Sequence, residues 1–221
     1  MREHLSSLHG SMVLALLANA KTATRRLVKP SNSLVNGERW TKAQWATLAW
    51  SWACTVTNQM CDPLWMVPDV RGFWHEVTPR IQPGDVMAFR EALACYGMRA
   101  RYAADLTDPP HPTLPDEPYP WRWKANRIPP MYCPRDAIRL RREVVSVLPS
   151  TPADVTTPEE ALAEGLVDCG DMGQGWNRWG WRGHPVYYAT PREAFAALLA
   201  HVHGRPVPET APCWRYGLAE A

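Results

Sequence analysis

Apolar positions run unbroken from residue 12 to residue 18. That run is far too short to cross a bilayer and suits two turns of a buried helix. Ser11 is placed to cap this helix, and Asn19 stands at its C-terminal end, where a left-handed residue is tolerated. Three further helix starts carry capping signals. Thr41-Lys42-Ala43-Gln44 is a capping box flanked by Trp40 and Trp45 as a hydrophobic staple, and it predicts a helix to about residue 54. Thr157-Pro158-Glu159-Glu160 repeats the box, with Gly165 as the stop. Thr190-Pro191-Arg192-Glu193 does so again, ending at Gly204 before Pro206.

Between these lie short runs with strand patterning, at 25–28, 85–90, 98–103, 138–147 and 214–218. Pro83-Gly84-Asp85 is a turn that feeds the second of them. In the 138–147 run, Ile138 and Leu140 point inward and Arg142 falls on the same phase. Either the strand bulges there or a guanidinium enters a polar cavity. Strands outnumber helices, and the helices fall between them irregularly. The pattern predicts an α+β fold, a small mixed or antiparallel barrel with peripheral helices, over a doubly wound sheet.

Composition changes this picture in a few places. The length of 221 residues suits one ample domain. An apolar fraction of 46% with 21% charged residues belongs to a folded chain, not a disordered one. The net charge of +2 is too small to argue for nucleic acid, so any such case rests on local clusters. Twelve tryptophans exceed what one modest core needs, which places some at a surface or pocket where indole can stack on flat ligands. Prolines concentrate between residues 107 and 134, predicting a long loop there.

The cysteines, Cys54, Cys61, Cys95, Cys133, Cys169 and Cys213, form no Cys-x-x-Cys pair. They read as reduced, mostly buried thiols, with no metal site. Arg2, the apolar run and Ala18-Asn19-Ala20 imitate a secretory signal, but the run is short for that task and a core helix is expected instead.

The chemistry concentrates at one junction, Lys21-Thr22-Ala23-Thr24-Arg25-Arg26, between the first helix and the first of these strand runs. A lysine, two hydroxyls and two guanidiniums can bind phosphate, or a lysine can activate a threonine. Threonine is inert as a nucleophile until a base accepts its proton, and lysine serves as that base only when burial lowers its pKa. Residues three apart in a strand face opposite sides, so Lys21 must lie in the preceding turn to meet Thr24. Thr22 and Thr24 would share a face. A lysine near a helix C-terminus is favoured in its charged form, which opposes the depression required.

The order of landmarks resembles the ASCH domain of the PUA-like superfamily, and within it the long ASCH-type proteins common in bacteriophages and prophages. The resemblance rests on the Lys21–Arg26 run after an apolar helix, Gly84-Asp85-Val86, and Phe89-Arg90-Glu91-Ala92. It continues through Arg101-Tyr102-Ala103-Ala104-Asp105, Trp123, Ile128-Pro129-Pro130-Met131-Tyr132-Cys133-Pro134-Arg135 and Glu160-Ala161-Leu162-Ala163-Glu164-Gly165, to a terminal strand containing Trp214. Residues 31–80 fall outside it and are expected to be a helical insertion within a single domain spanning 1–221.

The resemblance implies a PUA-like β-barrel and two uses of it. Short bacterial ASCH proteins are amidohydrolases of acylated cytidine nucleosides, and their lysine, threonine and glutamate fall on Lys21, Thr24 and Glu164. That reaction implies no cofactor. PUA-like domains also recognise RNA or modified bases. For this second use, Thr22, Arg25, Arg26, Trp121, Trp123, Lys124, Arg135 and Arg142 are the expected contacts. Trp121-Arg122-Trp123-Lys124 interleaves aromatic and cationic groups, and Arg135, Arg139, Arg141 and Arg142 form a second basic cluster suited to phosphates. The expected partner is RNA, single-stranded DNA or a modified nucleoside in the cytoplasm of a bacterial host, with no membrane.

Plainer readings stand beside these. Arg25 and Arg26 suit solvated strand positions, and Trp121 and Trp123 suit a clamp on the Pro-rich loop. Glu160 reads mainly as a cap and Asp85 as a turn residue. The glycine-rich Gly170–Gly183 stretch reads as an aromatic lid or a plain hairpin. His184, His201 and His203 lack metal-ligand spacing.

Overall fold

A computed structural model describes residues 2–7, 10–50, 54–58, 61–109, 117–171, 177–182 and 184–219. In chain order its strands are β1 (Glu3–Ser7), β2 (Ala23–Leu27), β3 (Ser33–Val35), β4 (Cys54–Asn58), β5 (Cys61–Pro68), β6 (Trp74–Pro79) and β7 (Val86–Arg90). They continue with β8 (Leu93–Tyr96), β9 (Arg99–Tyr102), β10 (Arg127–Ile128), β11 (Leu140–Ser150), β12 (Val167–Asp171), β13 (Asn177–Gly180) and β14 (Cys213–Leu218). The helices are α1 (Gly10–Leu17), α2 (Lys42–Trp45), α3 (Pro158–Ala163) and α4 (Pro191–His203).

The fold is mixed α+β, dominated by strands. Its central sheet runs β1-β7-β11-β14-β2 and curls into a half-barrel. Only the β1–β7 pair is parallel; the other three ladders are antiparallel. The sheet edges β1 and β2 share no ladder among the described residues, but Arg26 on β2 donates to the Ser7 carbonyl of β1. Helices α1 and α4 send Met12, Val13, Leu16, Phe195 and Leu198 into a core shared with Phe89, Val144, Trp214 and Tyr216 of the sheet. A second core, around Leu93, Tyr102, Tyr119 and Ile128, belongs to the small β10-β8-β9 sheet, with Trp121 and Trp123 packed on its flank.

The threonine capping signals set helix starts well and helix lengths less well, whereas Ser11, expected to cap the first helix, lies within α1. Thr190 and Glu193 close a full box on α4, and Gly204 ends it at φ 67°. Thr157 caps α3 through the Glu160 amide, and Gly165 follows at φ 85°. Asn19 is left-handed at φ 52° behind α1.

The expected helical insertion is corrected. The Thr41 box forms, but α2 is a single turn, and the rest of the described part of 31–80 is largely the four-stranded sheet β3-β6-β5-β4. A capping box satisfies only the first amides, and the stretch beyond it carries many β-branched and aromatic residues, among them Thr47, Trp50, Thr55, Val56 and Trp65, which prefer a pleated surface. This sheet is no appendage, since Val35, Trp65, Val67 and Val77 join the main core.

Arg142 keeps the inward phase of its strand, and its guanidinium reaches the Leu16 carbonyl and Asn19 Oδ1, closing the C-terminal end of α1. The bulge falls later, between Val144 and Ser146. No helix among the described residues is long and apolar enough to cross a membrane.

Candidate functional site

The turn after α1 fixes Lys21. The Ala20 and Lys21 amides both donate to the Ala15 carbonyl, and the Thr22 amide donates to the Ala163 carbonyl at the end of α3. Lys21 thus lies before β2, beside the C-terminal end of α3. Its ammonium donates to the Glu164 carbonyl at 2.6 Å and to Glu164 Oε2 at 3.2 Å.

Glu164 caps α3 and faces the free edge of β2. Its Oε2 accepts the Arg25 amide at 3.3 Å, in the place a neighbouring strand would take, and its Oε1 accepts Arg25 Nη1 at 2.8 Å. Arg25 is therefore no solvated strand residue. Its Nη2 donates to Glu160 Oε2 at 2.7 Å and its Nε to Ser150 Oγ, which donates on to Asp154. Side chains of Lys21, Arg25 and Glu164 are 2–3% exposed.

Burial pulls the Lys21 pKa down, and the Glu164 charge only partly restores it. Burial also opposes the Glu164 carboxylate, but Lys21 and Arg25 outweigh it and hold its pKa below the usual range. Glu160, expected as a cap, turns its carboxylate away from Thr157 to Arg25 and Arg215.

Gly165 lets this assembly close. A Cβ there would sit 3.2 Å from Ala15 Cβ and 3.3 Å from Lys21 Cδ, on a backbone at φ 85°. Gly165→Ala is expected to cost about 1–2 kcal/mol from the left-handed backbone alone, read as a lowered denaturation midpoint. The same variant displaces the Lys21 stem.

Lys21, Thr24 and Glu164 all line one cavity of about 370 Å³, with Arg25 and Arg26. Its apolar wall is Met12 with Phe195, Leu198 and Leu199 of α4, and Lys29, His203 and Arg205 stand in its lining too. Thr24 is buried at 4% exposure, and its hydroxyl has no hydrogen-bond partner among the described residues. An apolar wall facing a few convergent polar groups is the usual anatomy of a small-ligand site.

Arg26 separates this cavity from a second one of about 450 Å³ between the edges of β1 and β2. Its Nη1 and Nη2 reach Ser7 O only at 3.3 Å, and its buried Nε has no partner among the described residues. The Tyr216 hydroxyl, on β14 opposite Thr24, is likewise buried and has no partner among the described residues, and Tyr216 lines the second cavity.

The remaining expected contacts lie elsewhere. Thr22 is held through its backbone, accepting the Leu218 amide, and lines neither cavity. Trp121 and Trp123 meet edge to face at 4.9 Å, half-buried against the second core, and Lys124 is exposed. Arg135 and Arg141 both pair with Glu3. Arg139 is clamped by Glu91 and Asp105. Asp85 accepts the Arg2 and Gln82 amides and His4 Nε2, as a turn residue does.

His184 stacks on Trp181 at 3.9 Å, and no metal-holding cluster occurs among the described residues. Residues 172–176 and 183 of the glycine-rich stretch lie outside the described residues, while β12 and β13 pair on either side of 172–176. Phe195, Leu198 and Arg205 carried no sequence signal beyond the apolar face and the end of a capped helix.

Neither a protein-family model, nor a curated protein, nor a solved structure matches this chain.

Proposed function

We propose that this chain is an ASCH-type, PUA-like protein of bacteriophage or prophage kind that recognises a single modified nucleobase or nucleoside in the cytoplasm of a bacterial cell. One observation carries the reading: Lys21, Thr24 and Arg26 converge on one cavity of about 370 Å³ walled by Phe195 and Leu198. A flat heteroaromatic ring can lie against that wall. The Thr24 hydroxyl and the spare proton of Lys21 then meet its edge. Glu164 has both oxygens occupied, so it orients Lys21 and leaves the ligand to the donors.

The second basic cluster supports recognition of a single unit over an extended strand. Arg135, Arg139 and Arg141 are engaged by Glu3, Glu91 and Asp105, which leaves fewer cations for a phosphate track. The test is a calorimetric titration with canonical and modified bases and nucleosides. At least one should bind, and Thr24→Val should weaken it about three- to ten-fold, as loss of one hydrogen bond requires. An unaffected affinity in Thr24→Val removes this cavity from consideration.

A specific feature also favours a second reading, the amidohydrolase. Lys21, with its lowered pKa, lines the same cavity as an unengaged threonine hydroxyl, the two parts of an activated nucleophile. Incubation with an N4-acylated cytidine separates the readings. Release of the free acid supports hydrolysis, whereas binding without release supports recognition alone. Neutral Lys21 is the active form of the base, so hydrolysis rises with pH, along a limb lying below that of an ordinary lysine.

A further inference from the structure

We propose that the second cavity, across Arg26 from the first, is a phosphate site, so that the recognised base or nucleoside binds most tightly as part of a nucleotide. The nucleotide part rests on the recognition reading above; the phosphate site does not. The two cavities share Ser7, Arg26 and Lys29 in their walls, so one molecule can reach both.

Arg26 is the centre of the argument. Lys21 and Arg25 hold Glu164 and Glu160 between them, whereas half-buried Arg26 has no carboxylate partner among the described residues. Its two long contacts to Ser7 O leave guanidinium donors underused, and its Nε donates to nothing among the described residues. Buried donors in that state carry a cost that an anion relieves. Tyr216, 0% exposed, adds a second donor without a partner among the described residues in the same lining.

Lys29 and Arg80 complete a cationic rim, and no aspartate or glutamate lines the cavity among the described residues. His4 also lines it but is held by Asp85, whose oxygens already accept the Arg2 and Gln82 amides. On the first cavity's side, the His203 pKa is pushed down by partial burial and then by Lys29, Arg26 and Arg205, which places all four groups in one field. A cavity with underused Arg26 donors, a phenol unpartnered among the described residues and two further cations at its rim, of which Arg80 also donates to the Ser31 carbonyl, is matched by a phosphoryl group.

The experiment titrates the full chain with inorganic phosphate, cytidine, cytidine 5′-monophosphate and the dinucleotide cytidylyl-cytidine. Phosphate should bind, Arg26→Gln should abolish it, and Tyr216→Phe should weaken it about ten-fold without lowering the melting temperature. Arg80→Gln serves as the surface variant should Arg26→Gln fail to fold, and a several-fold loss is expected there. The monophosphate should bind at least ten-fold more tightly than cytidine. A stronger dinucleotide than monophosphate would identify a strand as the source of the phosphate, and the reverse a free nucleotide.

Equal phosphate affinity in the parent chain, Tyr216→Phe and Arg80→Gln overturns the inference. So does cytidine binding that a 5′-phosphate does not improve, and that result leaves the recognition reading standing. Phosphate binding that depends on Arg26 and Tyr216, with no base or nucleoside bound, upholds the phosphate site and removes the recognition reading.

Discussion

Glu164→Ala is expected to lower stability by about 3–5 kcal/mol, the usual consequence of removing one partner from a buried ion pair. Both Glu164 oxygens are occupied, by Lys21 Nζ and the Arg25 amide on one and by Arg25 Nη1 on the other. Removing them strands an ammonium and a guanidinium, each only 2–3% exposed, with Glu160 as the remaining carboxylate on Arg25. Against a typical stability of about 5–15 kcal/mol the loss is large. It reads as a lower denaturant midpoint at unchanged slope.

Glu164→Gln keeps the shape and loses the charge, so its cost should be intermediate. The difference between parent and Gln variant also depends on pH. Lys21 and Arg25 hold the folded Glu164 pKa below the ordinary 4.5. The unfolded chain takes up the proton first, so the carboxylate's contribution is complete above that value and fades as pH falls toward the folded pKa. A parent chain and a Gln variant with the same acid unfolding curve would show that this carboxylate contributes nothing.

Local chemistry made the helix starts legible. The Thr190 box, the Thr157 cap, glycines at 165 and 204 and the left-handed Asn19 are short-range signals with structural counterparts, although at 157 only the threonine half of the expected box forms. The strand runs at 85–90, 98–103 and 214–218 were equally local, and β7, β9 and β14 lie on them. What spacing cannot supply is the partner across the fold.

Lys21 and Glu164 are 143 residues apart, and only the family resemblance set them side by side. Residues 31–80 misled for the same reason. A capping box speaks for four residues, whereas the sheet there is decided by Val35, Trp65, Val67 and Val77 meeting a core built by distant strands. The Arg135–Arg142 run read as a basic patch because Glu3, Glu91 and Asp105 arrive from elsewhere in the chain.

Arg139→Met is the sharpest test of that last point, with an expected cost of about 3–5 kcal/mol and no effect on ligand binding. The guanidinium grips Glu91 with Nε at 2.9 Å and Nη2 at 2.8 Å, while Nη1 reaches Asp105 and Thr107. It also lies 3.8 Å over the Tyr102 ring, whose hydroxyl donates to the Ala137 carbonyl. Burial alone disfavours the Arg139 cation, and the Glu91 and Asp105 contacts outweigh that and raise its pKa.

Methionine fills similar space but leaves Glu91, 2% exposed, without its cation. A phosphate-contacting arginine would behave in the opposite way, with unchanged stability, weaker binding and a shallower salt dependence. Chemical denaturation beside a salt-dependent titration of the same variant separates the two. Intact stability with a reduced salt slope would return Arg139 to a nucleic-acid face and reopen the extended-strand reading.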